Sequence, residues 1–272
     1  MFDKVNESQR FIFNNVPNRP KIAIILGSGL GDLANDIDDK VSIKYEDIPN
    51  FPTVSVVGHS GELLFGSIDG VEIVAMAGRF HFYEGYSMKE VTYPIYVFKQ
   101  MGIEQIIVSN ACGGINEDFE PGSLMVIDDF INLMGTNPLV GANDERFGPR
   151  FPDMTEPYSK RLMKYAFDTA SELDLKLESG VYAGFQGPYY ETRAEVRMIK
   201  GMGVDVVGMS TVPETIVANQ LGLEVLGISC ITNMATGIQK KKHSHEEVVK
   251  QAKVAGIMFV KIIKGVLKKI GE

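Results

Sequence analysis

Five stretches of the chain, "KIAIILG", "VEIVAMAG", "EQIIVSNACGG", "VDVVGMS" and "LEVLGISCITN", are rich in Val and Ile and run into clusters of Gly, Ser or Asn. Apolar runs without polar alternation have no solvent face to offer. They fit strands covered on both sides. Helical segments lie between them. "SMKEVTYPIYVFKQMG" opens with Ser87 and Glu90 at capping-box spacing and stops before Gly102, and Pro94 predicts a kink inside it. The last segment repeats that spacing at Ser244 and Glu247. Its apolar residues then recur every three or four positions, at Val248, Ala252, Ala255, Phe259, Ile262 and Val266, as an amphipathic helix packed on a sheet requires. Strands alternating with helices predict an α/β fold with a central mixed, largely parallel twisted β-sheet flanked by helices. Without repeats, linkers or low-complexity tracts, residues 1–272 read as a single domain.

Composition narrows the partners. With 44% hydrophobic and 23% charged residues, the chain can bury a full core without staples. Its two cysteines, Cys112 and Cys230, have no CxxC or Cys/His spacing and read as reduced thiols, with no metal site. A formal charge of −8 argues against nucleic-acid binding, because a phosphate backbone needs a basic surface. The N-terminus lacks a signal-peptide pattern, and no uncharged apolar run approaches the ~18 residues of a membrane span. The expectation is a cytoplasmic protein that binds neither membrane nor nucleic acid. A small anion would need a locally positive pocket.

Ligands of open α/β sheets collect at the carboxyl ends of strands, and the unusual residue clusters of this chain lie there. "LGSGLG" follows the first strand and offers close backbone approach plus the Ser28 hydroxyl, or else a plain tight turn. Asp32 breaks the dinucleotide fingerprint, and the P-loop lysine is missing. "GRFHFYEG" carries Arg79, a planar fork suited to phosphate oxygens, and His81 two residues on, which an extended backbone points to the same face. The bland reading is an exposed loop with an ion pair to Glu84. His59 in "VGHSG" reads as a solvated turn residue or an anion contact. Asn110 and two glycines in "SNACGG" read as a turn or as amides facing a ligand. In "GPYYET", Tyr190 offers a ring for stacking and Glu191 an acceptor, although Glu191 also suits the first turn of the following helix. Ser210 in "GMSTVPE" is a helix cap or an anion contact. Asn233 in "SCITNM" has the donor and acceptor needed to read a purine edge, or sits in a turn.

In this order the motifs resemble the low-molecular-mass, trimeric family of purine nucleoside phosphorylases. "GSGLG", "GRFHFYEG", "NDERFGPRFPDM", "GPYYET", "GMSTVPE" and "ITN" carry the resemblance, from about Lys21 to the terminal helix. It implies a phosphate site of Ser28, His59, Arg79, His81, the Ala111 amide and Ser210. Tyr83 and Met209 would hold ribose, with His245 near the 5′-hydroxyl and His243 its rival. The base would lie at Tyr190, Glu191 and Asn233, the last two being catalytic together with His81. Phe147 would cover a neighbouring subunit's ribose in a homotrimer. The implied reaction is phosphorolysis of 6-oxopurine nucleosides, with inorganic phosphate as co-substrate and no cofactor or metal. Methylthioadenosine phosphorylase and a phosphate-independent nucleosidase are the alternatives. Position 190 departs from the family pattern, with Tyr where many relatives carry Phe.

Overall fold

In the computed structural model, which describes residues 1–53, 60–239 and 245–272, the apolar runs are strands. The strands are β1 (Ile22–Leu26), β2 (Asp38–Lys44), β3 (Glu62–Ile68), β4 (Val71–Ala77), β5 (Gln105–Gly114), β6 (Leu124–Asn132), β7 (Glu178–Gly184), β8 (Val206–Gly208) and β9 (Glu224–Met234). The α-helices are α1 (Phe2–Asn15), α2 (Met88–Val91), α3 (Tyr93–Met101), α4 (Lys160–Glu172), α5 (Arg193–Gly201), α6 (Val212–Gln220) and α7 (His245–Gly271). The segment predicted as one kinked helix is two, α2 and α3, separated at Thr92. Pro94 sits in the first turn of α3, where its missing N–H costs nothing, so it starts a helix instead of bending one.

Among the described residues the strands form one sheet in the order β2-β3-β4-β1-β5-β8-β7-β6-β9, and β9 also pairs with β5. Strands β5, β8, β7, β6 and β9 therefore close on themselves, and the other four extend from β5 as an open wing. The pairings are mixed: β1–β4, β1–β5, β5–β9, β6–β7 and β7–β8 are parallel, and the remaining four are antiparallel. Closure goes beyond the predicted sheet. It leaves β2 at the outer edge of the wing, where Asp38, Asp39, Lys40 and Lys44 supply charges of the kind that discourage edge pairing.

The central strands are apolar throughout because each face meets a different core. Ala23 and Ile25 of β1 join the core that includes α1, α3 and α6, whereas Ile22, Ile24 and Leu26 join the core under α4 and α7. The predicted stripe of α7 is confirmed from Ala252 to Val266 in that second core. Val248 alone of the predicted set turns to a cavity instead.

At the end of β1 the chain passes close to β5. A Cβ on Gly27 would lie 2.7 Å from the Ser109 carbonyl oxygen and 2.8 Å from the Asn110 Cα, backbone atoms that cannot swing aside. Gly27→Ala is expected to cost about 1–3 kcal/mol and lower Tm in thermal unfolding. Gly201→Ala, at the end of α5 where a Cβ meets nothing within 4 Å, is expected to leave Tm unchanged or raise it.

Candidate active site

The site begins with a gap in the ladder of β5. Along one edge β5 pairs with β1 only at Gln105–Val108 and with β8 only at Gly113–Gly114. Between those partners the edge is unclaimed by any strand. Backbone groups of alternate residues point to the same edge. The Gln105 N–H bonds Lys21 on this side, and the Ile115 N–H bonds Asp205 on it. Ser109 and Ala111 share their parity, so their backbone groups face the gap. Buried backbone groups need partners, and polar side chains gather at the gap.

Arg79, 2% exposed, fills one side of it. Its Nη1 donates to the Ser109 carbonyl at 2.5 Å and lies 3.2 Å from the Ser210 hydroxyl, and its Nε donates to Glu214 Oε1 at 3.0 Å. Arg79 is thus buried and pairs across the fold with α6, which sets aside the bland reading of an exposed loop. Ser109 also ties the first glycine loop in place. Its hydroxyl accepts from the Gly27 N–H at 3.1 Å and donates to the Ile25 carbonyl at 2.8 Å. Tyr45, buried, donates to the Gly78 carbonyl at 2.8 Å and anchors the start of the "GRFHFYEG" loop.

Ser210 is not the helix cap. Thr211 takes the N-cap position of α6 at φ +72° and ψ −49°, and the Val212 N–H bonds back to the Ser210 carbonyl at 2.8 Å. This is a γ-turn of the strained, positive-φ hand, unusual for a β-branched residue. Asn110 Nδ2 holds the Thr211 hydroxyl at 3.0 Å from the neighbouring strand. The turn frees the Ser210 side chain from capping and leaves it lining the cavity.

His81 and Tyr83 follow Arg79. Glu84 accepts from the His81 backbone N–H at 2.8 Å and lies 3.0 Å from His81 Nδ1. Glu84 thus holds both the backbone and the ring of His81. The imidazole stacks on Tyr83, with centroids 4.6 Å apart and planes at 18°. Burial pushes the Tyr83 phenol up to about 12. Across the cavity Gly187, at φ +69°, lies where a Cβ would come within 2.4 Å of Met209 Sδ and 3.2 Å of Tyr83. That close approach draws the "GPYYET" segment over the cavity.

The far end is formed by Tyr190, Glu191, Thr232, Asn233 and Thr236. Asn233 is a strand residue, and so is Asn110; neither is in a turn. The β5–β9 register jumps from Cys112↔Ile231 to Gly113↔Asn233, making Thr232 a bulge. Bulges re-aim side chains beside sites. Here Thr232 Oγ1 donates to Asn233 Oδ1 at 2.9 Å, while Asn233 Nδ2 donates to the Met234 carbonyl at 3.2 Å. Glu191 precedes α5, whose cap is Thr192 in a capping box with Glu195, so the helix dipole is not its reason for being there. It is 5% exposed. Burial, reinforced by the Glu195 charge, holds its carboxyl above the usual carboxylate range against the opposing pull of a backbone hydrogen bond.

One cavity thus brings together Ser28, Arg79, His81, Tyr83, Ala111, Tyr190, Glu191, Met209, Ser210 and Asn233 from the sequence reading. His59 and His243 lie outside the described residues, as does the side chain of His245, which opens α7. Phe147 needs a correction. Instead of projecting, its ring is 6% exposed, 5.4 Å from Phe2 and 4.8 Å from Tyr96 in its own chain's core. The projecting aromatic of that segment is Phe151, 87% exposed. Sequence reasoning missed Thr236 and Val248, which also line the cavity, and Ser109 and Glu214, which hold its groups in place. A carboxylate inside the apolar run of α6 was the available signal for Glu214. Both thiols are buried and free, and burial pushes Cys112 well up and Cys230 to about 12. Among the described residues no cluster of three metal-ligating side chains occurs, and no helix is long and apolar enough to cross a membrane.

One cavity at the strand ends thus gathers cationic, hydroxyl, aromatic, carboxylate and amide side chains. The Phosphorylase superfamily model matches residues 21–268 and sets the class of the protein. Purine nucleoside phosphorylase 1 of Bacillus subtilis is 52% identical over 267 residues, covering 98% of each chain. The enzyme of the same name from Geobacillus stearothermophilus is 51% identical over 268 residues, again covering 98% of each. The Schistosoma mansoni purine nucleoside phosphorylase in complex with adenosine superposes with a TM-score of 0.94 at 40% identity, covering 99% of this chain and 98% of that one. The chain belongs to the purine nucleoside phosphorylase family of that superfamily.

The raised Glu191 carboxyl has a measurable consequence. Between its unfolded and folded pKa the native state holds more protons than the unfolded one, so stability falls as pH rises through that window. Above that window the buried carboxyl is a net cost to the fold. Glu191→Gln is expected to raise Tm at pH 7, and the gain should vanish below the unfolded carboxylate value of about 4.3. Parallel melting curves at pH 7 and pH 4 check this.

Proposed function

We infer that the protein catalyses the reversible phosphorolysis of 6-oxopurine ribo- and deoxyribonucleosides, such as inosine and guanosine, to the free base and the pentose 1-phosphate. The observation that carries this reading is that one cavity is lined both by Arg79, His81, Ser28 and Ser210, donors suited to an anion, and by Glu191 and Asn233, groups suited to a purine edge. Relatives at about half identity carry the same activity in their names. A solved relative, isoform 2 of the Schistosoma mansoni enzyme, holds cytosine and ribose-1-phosphate and superposes with a TM-score of 0.95 at 39% identity.

In this reading inorganic phosphate attacks the anomeric carbon as the glycosidic bond breaks through an oxocarbenium-like transition state. Arg79, His81, Ser28, Ser210 and the Ala111 amide hold the phosphate beneath the developing cation, with His59 as a further contact. The same donors position the nucleophile and balance the charge. Tyr83, Met209 and His245 hold the ribose. Tyr190 stacks on the base, its phenol adding a polar handle. Asn233 at N7 and Glu191 at N1–H stabilise the electron-rich leaving purine. The chemistry calls for no covalent intermediate, cofactor or metal. The assembly is a homotrimer in which the projecting Phe151, in place of Phe147, covers a neighbour's ribose. The free, buried thiols support a reducing, cytoplasmic setting.

The test is base release from inosine with and without phosphate, beside adenosine and methylthioadenosine. Strict phosphate dependence with inosine preferred is the expected result. Phosphate-independent release makes the protein a nucleosidase, and preference for methylthioadenosine reassigns the base pocket. Asn233→Ala is expected to lower kcat/KM for inosine about 100-fold or more, as the loss of one preorganised donor to a developing charge does.

A further inference from the structure

We propose that Glu214 is a positioning residue for the phosphate half of the reaction, acting through Arg79; this rests on the phosphorolysis reading above. Glu214 does not line the cavity. It lies in the first turn of α6, 135 residues along the chain from Arg79, and its carboxylate meets Arg79 Nε at 3.0 Å. Both side chains are only 3% exposed. Around it α6 buries Val212, Pro213, Ile216, Val217 and Ala218 together with the neutral Thr215 and Gln220, so Glu214 is the one charged side chain among the buried residues of this helix. Its second oxygen, Oε2, is buried with no hydrogen-bond partner among the described residues.

A helix N-terminus favours a carboxylate nearby, but the dipole does not require the carboxylate to be buried against a guanidinium. Stability does not require it either. Desolvation offsets most of the attraction in a buried ion pair, and well-packed apolar side chains commonly serve the fold as well. What the pair does supply is orientation. A guanidinium is a rigid planar fork. Nε is fixed by Glu214 and Nη1 by the Ser109 carbonyl and the Ser210 hydroxyl, so these bonds set the plane of the fork along its Nε–Nη1 side. Moving the carboxylate releases the Nε corner, and the plane turns with it. The groups that read the base make none of these bonds, so the effect falls on one substrate.

Two conservative variants of the full chain test this. Glu214→Gln keeps an acceptor at the Oε1 position without the charge. Glu214→Asp keeps the charge but draws the acceptor back by one methylene. Phosphate KM, inosine KM at saturating phosphate, and the rise in Tm produced by inorganic phosphate are measured for each. Glu214→Asp is expected to raise phosphate KM about tenfold and shrink the phosphate-induced Tm rise, leaving inosine KM within about twofold. Glu214→Gln is expected to stay closer to the parent in both phosphate readouts. The proposal is overturned if neither variant alters phosphate KM, if inosine KM rises in step with it, or if Gln is the more damaging change, since charge and not orientation would then be the point. A parent protein that releases base without phosphate overturns the phosphorolysis reading itself, a result recognisable before any variant is made.

Discussion

The organising constraint of this fold is the divided edge of β5. One strand serves as the seam between an open wing and a closed ring of strands, and it does so by handing one edge from β1 to β8. The handover is not continuous. Residues Ser109 to Cys112 are left with a ladder on the β9 side only, in the middle of a protein where backbone groups must be satisfied. Arg79 takes one of those carbonyls. Ala111, which also faces the gap, lines the cavity. Catalytic architecture here is a by-product of topology: where a sheet changes from wing to ring, the polar backbone of its central strand becomes available.

Everything that converges on the gap is held from behind by buried polar bonds. Ser109 binds the first glycine loop, Tyr45 the start of the Arg79 loop, Asn110 the turn at Thr211, and Glu214 the guanidinium. Each of these bonds joins segments far apart in sequence. Together they tie the ends of β1, β4 and β5 to the start of α6. A strained turn such as that at Thr211 persists only when its surroundings over-determine it, and the clamp from Asn110 is part of that surrounding structure.

How much of this was legible in the sequence follows from burial. β1, β4, β5, β8 and β9 could be read because both faces of each are covered, at least in part, and a doubly covered strand announces itself as an unbroken apolar run. β2 was not legible because it is an edge strand with mostly exposed residues, and β7 because Glu178, Ser179 and two glycines interrupt it. Ring closure left no local signal, since it depends on β9 pairing on two sides. The site was legible at its motifs, yet residue-level detail failed where neighbours chose between alternatives. Both Phe147 and Phe151 sit in the same family-like segment, and only the packing of Phe147 on Phe2 and Tyr96 tells which ring turns inward. The bulge at Thr232, which sets the aim of Asn233, is a matter of register between strands separated by more than a hundred residues.

The pairing of Arg79 with Glu214 also shapes what kind of anion pocket this is. A cation matched by a carboxylate within the same desolvated space exerts little net pull at a distance. In the phosphorolysis reading, an anion entering here would be met by hydroxyls, an imidazole and an amide, and by a guanidinium whose far field is largely cancelled. Such a grip is insensitive to ionic strength, since there is little long-range field for salt to screen. It selects by the shape and lone-pair directions of the guest more than by its charge. For a chain carrying a net charge of −8, that is a way to admit a small polyoxyanion into an acidic protein without building a basic surface to attract it.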